Sequence, residues 1–465
     1  MHRLAALAIV FVTLGLGATA CSNPPQSDLS AAPLPASDPA YLPLTWFYDL
    51  AADEPLARAS LERIAADWED AYATMLLDLI YFSTSPEIDA AMTRLLEEKS
   101  GLRFRGDYDP FYRWIWTSNP GQHPRYAEFM ATLYSEIDPA FRDYFDDQPP
   151  TLIRLDEVLW GGVNQDGIPP LVQPKMLAAR DATYLDDDNI VFGVFLDGEA
   201  RAYPKRILAW HEMVKDRIGG RELTGVYCTL CGAMILYDST IAGTYHDLGT
   251  SGFLYRSNKL MYDKATSSLW STFTGTPVIG PLVGKGIELE TRPVVTTTWG
   301  EWRSRHPDTL VLSLETGRER DYSEGAAYRD YFATDRLMFA VPTLDRRLPN
   351  KAEVLAIRYD GEPLAIAAEL LERNPVYQGR AGATDFVVFT DPSGANRVYD
   401  ASGVSFVSWD GRGRAVSGDG REWTLTESAL TAGDGTRKER LAAHRAFWFG
   451  WYEVDPMGWT AGGWK

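Results

Sequence analysis

The sequence predicts an α+β protein: an N-terminal helical region followed by a β-rich, internally duplicated two-lobe domain. Three observations carry that prediction. Apolar residues recur at helical spacing up to about residue 148, and short β-prone runs broken by Gly, Pro and Asp take over from about Thr151. Within the β-rich part, one stretch matches a later one, the mark of a repeated unit.

The elements follow in chain order. Arg3 supplies a short positive region, and Leu4 to Leu16 form an apolar run too short to span a membrane as a mature helix. Ala18-Thr19-Ala20 then leads to Cys21, as at a lipoprotein processing site. Residues 1–21 are therefore expected to be a lipoprotein signal peptide. The chain would be exported to the bacterial cell envelope and lipid-anchored through Cys21, its only membrane contact; plain cleavage after Ala20 is the alternative. Residues 22–42, rich in Ser, Pro and Ala, suit a flexible tether.

Residues 43–150 form the predicted helical region. Leu61, Ile64, Ala65, Trp68, Tyr72, Leu76, Leu77 and Ile80 keep helical spacing across Leu56 to Ile80, and Ile88 to Leu96 and Arg125 to Phe145 continue in that style. Lobe 1 is placed at 151–329 and lobe 2 at 330–455. Val191 to Glu199, with Asp197-Gly198, matches Val354 to Glu362, with Asp360-Gly361. Val226 to Gly232 falls opposite Val388 to Gly394, and Tyr237-Asp238 opposite Tyr399-Asp400. Upstream, Ile168 to Leu171 resembles Val341 to Leu344.

Composition excludes some partners. With 45 Lys+Arg against 64 Asp+Glu the formal net charge is −19, and no compact basic patch occurs, which argues against nucleic acid and anionic membrane surfaces. The motifs exclude others: there is no G-x-S-x-G elbow, and His211-Glu212 is followed by Met-Val-Lys, without the second histidine of a zincin helix.

The chemistry concentrates at Cys228-Thr-Leu-Cys231-Gly232, which holds the only cysteines besides Cys21. Apolar β-prone runs flank it, so the two thiols are expected on a tight turn between strands. A thioredoxin-type pair would instead open a helix, whose N-terminus lowers the thiol pKa. Lobe 2 keeps the strands and the glycine but has Thr390 and Ser393 in place of the cysteines. Folding of the unit therefore does not need thiols, and Cys228 and Cys231 mark a site special to lobe 1.

Several of these runs together resemble the bacterial domain-of-unknown-function family DUF3179. They are Glu157 to Val163 with Asp166-Gly-Ile-Pro169, Arg201-Ala-Tyr-Pro204, Trp210-His211-Glu212, Tyr227 to Gly232, Ser251 to Tyr255 with Met261-Tyr-Asp263, Ser268-Leu-Trp270 and His444 to Phe449. The resemblance covers about residues 151–450 and implies no established activity. The chain departs from the family pattern at Thr229, where proline is usual.

Two thiolates leave a zinc or copper site incomplete, so further ligands are expected from elsewhere. His211 is the first choice, on a short helix (Ile207 to Val214) leading into the cysteine-bearing strand. Met261, on a strand-like run, would supply a soft axial ligand, which favours copper over zinc. Glu212, Asp263 and His444, with Asp238, would stand behind these ligands and orient them. His123 lies in the helical part, His246 reads as a surface residue at a turn, and His306 as structural at a helix end. The expectation is thus an exported metal-binding protein, with redox activity at the metal as an open option. Two alternatives stay open: thiol–disulfide exchange by Cys228 and Cys231, and an envelope module that binds a ligand or partner without catalysis.

Overall fold

The computed structural model describes residues 41–454. The predicted signal peptide with Cys21, nearly all of the tether and the final residue of predicted lobe 2 lie outside the described residues. Two compact units divide the chain after Phe129, so residues 130–150 group with the β-rich part and not with the helices before them.

The first unit contains helices α1 (Glu54–Ala66), α2 (Tyr72–Phe82), α3 (Pro86–Ser100) and α4 (Asp109–Ser118), and α5 (Tyr126–Ser135) runs across the division. Local chemistry sets their ends. The Asp53 carboxylate accepts the Leu56 N–H and Pro55 sits in the first turn of α1; Ser85 caps α3, and Gly101 at φ 72° ends it. The stretch Leu56 to Ile80 is two helices, interrupted over 67–71. Helix α2 is apolar nearly all round and accordingly buried; its Asp78 accepts the Tyr126 hydroxyl at 2.7 Å.

The second unit is built on the repeat. Lobe 1 runs β1 (Ile190–Leu196), β2 (Glu199–Pro204), α6 (Lys205–His211), β3 (Met213–Ile218), β4 (Arg221–Cys228) and β5 (Ala233–Asp238). After a hairpin of β6 (Leu248–Tyr255) and β7 (Asn258–Asp263), it closes with β8 (Val295–Thr298) and α7 (Trp299–Arg305). Lobe 2 begins with the same order: β9 (Glu353–Tyr359), β10 (Glu362–Ala367), α8 (Ala368–Arg373), β11 (Val376–Ala381), β12 (Thr384–Thr390) and β13 (Asn396–Asp400). It continues through β14 (Phe406–Trp409), β15 (Arg414–Ser417), β16 (Glu422–Leu425), β17 (Ala429–Ala432) and β18 (Arg437–Leu441), and closes with β19 (His444–Phe447) and α9 (Trp448–Tyr452).

The correspondence extends to pairing and packing. Strand order is β8-β1-β2 in one lobe and β19-β9-β10 in the other; β3-β4-β5 corresponds to β11-β12-β13. Both first hairpins turn on Asp-Gly with both residues at positive φ, the backbone that matches strand twist. Tyr237 donates to the Thr272 carbonyl as Tyr399 does to Thr426, each at 2.5 Å. The closing helices carry buried tryptophans at the same spacing, Trp299 and Trp302 against Trp448 and Trp451. The predicted upstream match is not structural: Leu171 pairs in a short strand, while 341–344 forms none.

Each closing segment lies against the other lobe. The Phe447 N–H of β19 donates to the Cys231 carbonyl at 2.7 Å. Reciprocally, Thr297 of β8 bonds the Ser393 hydroxyl at 3.3 Å, and Arg305 of α7 lies 3.7 Å from Asp391. The turn after β4 is thus covered by lobe 2, and the turn after β12 by lobe 1.

Candidate functional site

Cys228 ends β4 and is paired across the hairpin with Ala233; between them the chain turns through Cys231 and Gly232 at φ 61°. Cys228 and Cys231 are joined by a disulfide. A tight cover holds Cys231. A Cβ on Gly232 would come within 2.9 Å of the Phe447 ring, so that position needs glycine, and one on Gly450 would crowd the Cys231 Cβ at 3.2 Å. The Cys231 sulfur lies 3.0 Å from Asn258 Oδ1, and the Asn258 amide donates to the Gly450 carbonyl at 3.2 Å.

Asn258 is delivered by the β6–β7 turn, where Arg256 and Ser257 both hold positive φ (49° and 62°). Side chains at that backbone cost about 1–2 kcal/mol each, and strain of this kind gathers at functional sites. Arg256 is pinned by Glu157, Nε to Oε2 at 2.5 Å, which fixes the turn.

On the other side of the disulfide a small cleft of about 60 Å³ opens. Cys228, Thr229 and Leu230 form part of its wall, with Ile168, Phe253, Leu254 and Phe339 among the apolar groups. Tyr134, Phe141, Tyr144 and Phe145 meet Phe253 edge-on and fix that wall, which explains why residues after 130 belong to this unit. One polar group interrupts the apolar lining. Glu212 Oε1 accepts the Thr229 hydroxyl at 2.7 Å and the Tyr328 hydroxyl at 3.0 Å, and Oε2 is ion-paired with Lys259. All three of Glu212, Lys259 and Thr229 are buried. Burial and the Glu212 charge push the Tyr328 phenol well above its ordinary pKa, so it stays a donor.

The sequence-predicted residues divide over this site. Cys228, Cys231 and Met261 share one buried apolar cluster, and Glu212 reaches the turn itself. His211 does not face the sulfurs. Its Nδ1 lies 3.0 Å from the Pro169 carbonyl, which only accepts, so Nδ1 carries the proton; Nε2 then accepts the Tyr322 hydroxyl at 2.6 Å. Burial lowers its pKa, consistent with a neutral ring. Asp263 accepts from His246 Nδ1 at 2.8 Å, and Asp238 pairs with Arg221 and Arg292, so neither orients His211. His444 is buried against Phe273 and Trp451, which pushes its pKa down to about 3. Among the described residues no three His, Cys, Asp or Glu converge as a metal-holding group. The sulfurs are bonded to each other and both His211 nitrogens are engaged, so this donor set does not fit copper or zinc as arranged.

Sequence reasoning missed Lys259, Tyr328 and the glycine cover. Only Lys259 left a signal: a lysine inside Asn258 to Asp263, a strand buried throughout.

Fold and site together define a duplicated β-rich protein with a disulfide cleft in one lobe. The chain belongs to the family described as Protein of unknown function (DUF3179), whose sequence model matches residues 165–458. No curated protein and no solved structure matches it.

Proposed function

We propose that Cys228–Cys231 is a redox-active disulfide that exchanges with thiols entering the cleft. The observation that carries this reading is the asymmetry of the pair. Cys228 borders the cleft, whereas Cys231 is fully buried and does not line it. An incoming thiolate attacks the Cys228 sulfur, the S–S bond breaks, and the electron pair leaves on Cys231. A second thiolate attacks the outer sulfur of the mixed disulfide and releases Cys228. Two substrate thiols become one disulfide, and their two protons end on the two cysteines. Asn258 Oδ1, 3.0 Å from the Cys231 sulfur, is placed to accept the new S–H. Absence of cysteines from the matching lobe 2 turn supports a chemical role over a folding one.

The N-terminal residues support an exported, lipid-anchored setting through Cys21, where thiol oxidation is sustained. The metal reading, copper before zinc, requires reduced sulfurs and a third donor from a regrouping of His211 or Met261.

The test uses single-cysteine variants with Cys21→Ser. Cys231→Ser should form a mixed disulfide at Cys228 with an aromatic disulfide reagent at least tenfold faster than Cys228→Ser does at Cys231. Equal labelling, or labelling of Cys231 alone, overturns the attack scheme. Metal measured by mass spectrometry on reduced wild type, and lost in both variants, would favour the metal reading.

A further inference from the structure

Resting on that reading, we infer that the cleft takes a small thiol with an apolar body and a carboxylate head, and not a cysteine of a folded protein.

Access comes first. Cys228 is 2% exposed, so its sulfur lies at the wall of a cleft and not on a surface that a folded partner can cover. Exchange needs the attacking sulfur roughly in line with the S–S bond, and only a slender molecule brings it there. Ile168, Leu230, Phe253, Leu254 and Phe339 favour an apolar body between the sulfur and the head group.

The head group follows from the hydrogen-bond inventory. Both Glu212 oxygens are engaged: Oε1 takes two hydroxyl donors and Oε2 faces Lys259. Lys259 carries three N–H donors, yet Glu212 is the one carboxylate it meets, and no other acceptor bonds its nitrogen among the described residues. The site therefore has a charged donor to spare. A carboxylate satisfies that surplus; an ammonium or a second donor group does not. The mouth of the cleft carries Met338, exposed and flexible, where an apolar molecule enters.

The test is the rate at which thiols reduce the disulfide of the folded chain, at equal thiolate concentration and read by alkylation and mass spectrometry. Three probes of equal length are 6-mercaptohexanoate, 6-mercaptohexanol and 6-aminohexanethiol; a reduced, folded thioredoxin-type protein is the fourth. The carboxylate should react at least tenfold faster than the other two small thiols and show saturation, and the protein thiol should be slowest. Lys259→Gln should bring the ratio of the carboxylate rate to the neutral-thiol rate down to about one. Lys259→Arg, which keeps the cation, should retain a preference, and that control separates recognition from misfolding. Equal rates for the three probes, or a faster protein thiol, overturns this inference and leaves the exchange reading standing. Failure of every probe on the folded chain overturns the exchange reading itself.

Discussion

The same turn occurs twice in this molecule and is held in two different ways. In lobe 1 the segment after β4 is closed by Cys228–Cys231 and roofed by Phe447 and Gly450. In lobe 2 the segment after β12 is closed by Asp391, whose Oδ1 accepts from the N–H groups of Ser393 and Ala395 and from the Ser393 hydroxyl. Its Oδ2 accepts Arg397 at 2.7 Å, and Arg397, fully buried, also bonds Glu427 at 2.6 Å. Burial alone would raise the Glu427 pKa, but Arg397, His306 and Arg440 together outweigh it and hold the group well below the usual carboxylate range. Hydrogen bonds and buried charge thus do in lobe 2 what a covalent bond does in lobe 1. A repeat that closes without sulfur supports the proposal that the cysteines serve exchange as well as closure.

The comparison can be broken most forcefully in lobe 2. Arg397→Ala strands two buried carboxylates and should cost about 3–5 kcal/mol, measured by urea denaturation. A loss below about 1 kcal/mol would show that the turn does not depend on its charges.

The residues ending the two equivalent helices differ, His306 after α7 and Glu453 after α9. Burial raises Glu453 to about 7 from 4.5, against the pull of Arg256. A carboxyl raised in the folded state favours folding below its unfolded value and loses that contribution as pH climbs through the folded one. Stability should therefore fall between about pH 4.5 and 7, by up to about 3 kcal/mol. Glu453→Gln should flatten that limb; an unchanged pH profile would remove Glu453 as its source.

Glycine substitutions sharpen the contrast further. Both Gly232 and Gly394 sit at positive φ, but only Gly232 lies against a ring; the nearest atom to a Cβ at 394 is a flexible Glu372 oxygen at 3.3 Å. Gly394→Ala should cost about 1 kcal/mol from backbone alone. Gly232→Ala should cost about 2 kcal/mol more, through displacement of Phe447. Equal costs would mean that β19 does not seal the lobe 1 turn. Least of all, Cys228→Ser with Cys231→Ser should lose roughly 2 kcal/mol or less, because the disulfide closes a very short loop.

Much of this architecture is legible in the residues. The Asp-Gly turns, the alternating strands and the paired Tyr-Asp steps expose the duplication, and the β-flanked cysteines predict a hairpin tip. The Trp-x-x-Trp and Trp-x-x-Trp spacings at 299–302 and 448–451 held the same information and extend the repeat to its closing helices. The cleft was not legible, because it assembles from separated segments: Tyr328 lies 116 residues from Glu212 in sequence. His211 shows how a near miss arises. Adjacency to β4 places this part of the chain beside the turn, but His211 ends α6 and points to Tyr322. The next residue, Glu212, takes φ 56° and swings its carboxylate to Thr229. Sequence cannot say which of two neighbours faces inward when the backbone changes region between them.

The most direct test of the central claim is the reduction potential of Cys228–Cys231 in the folded chain, set by glutathione redox buffers and read by alkylation. An exchanging pair should give a midpoint between about −180 and −270 mV, as dithiol catalysts do. A pair that stays oxidised below about −300 mV would be a structural staple, and the account of a working cleft would be contradicted.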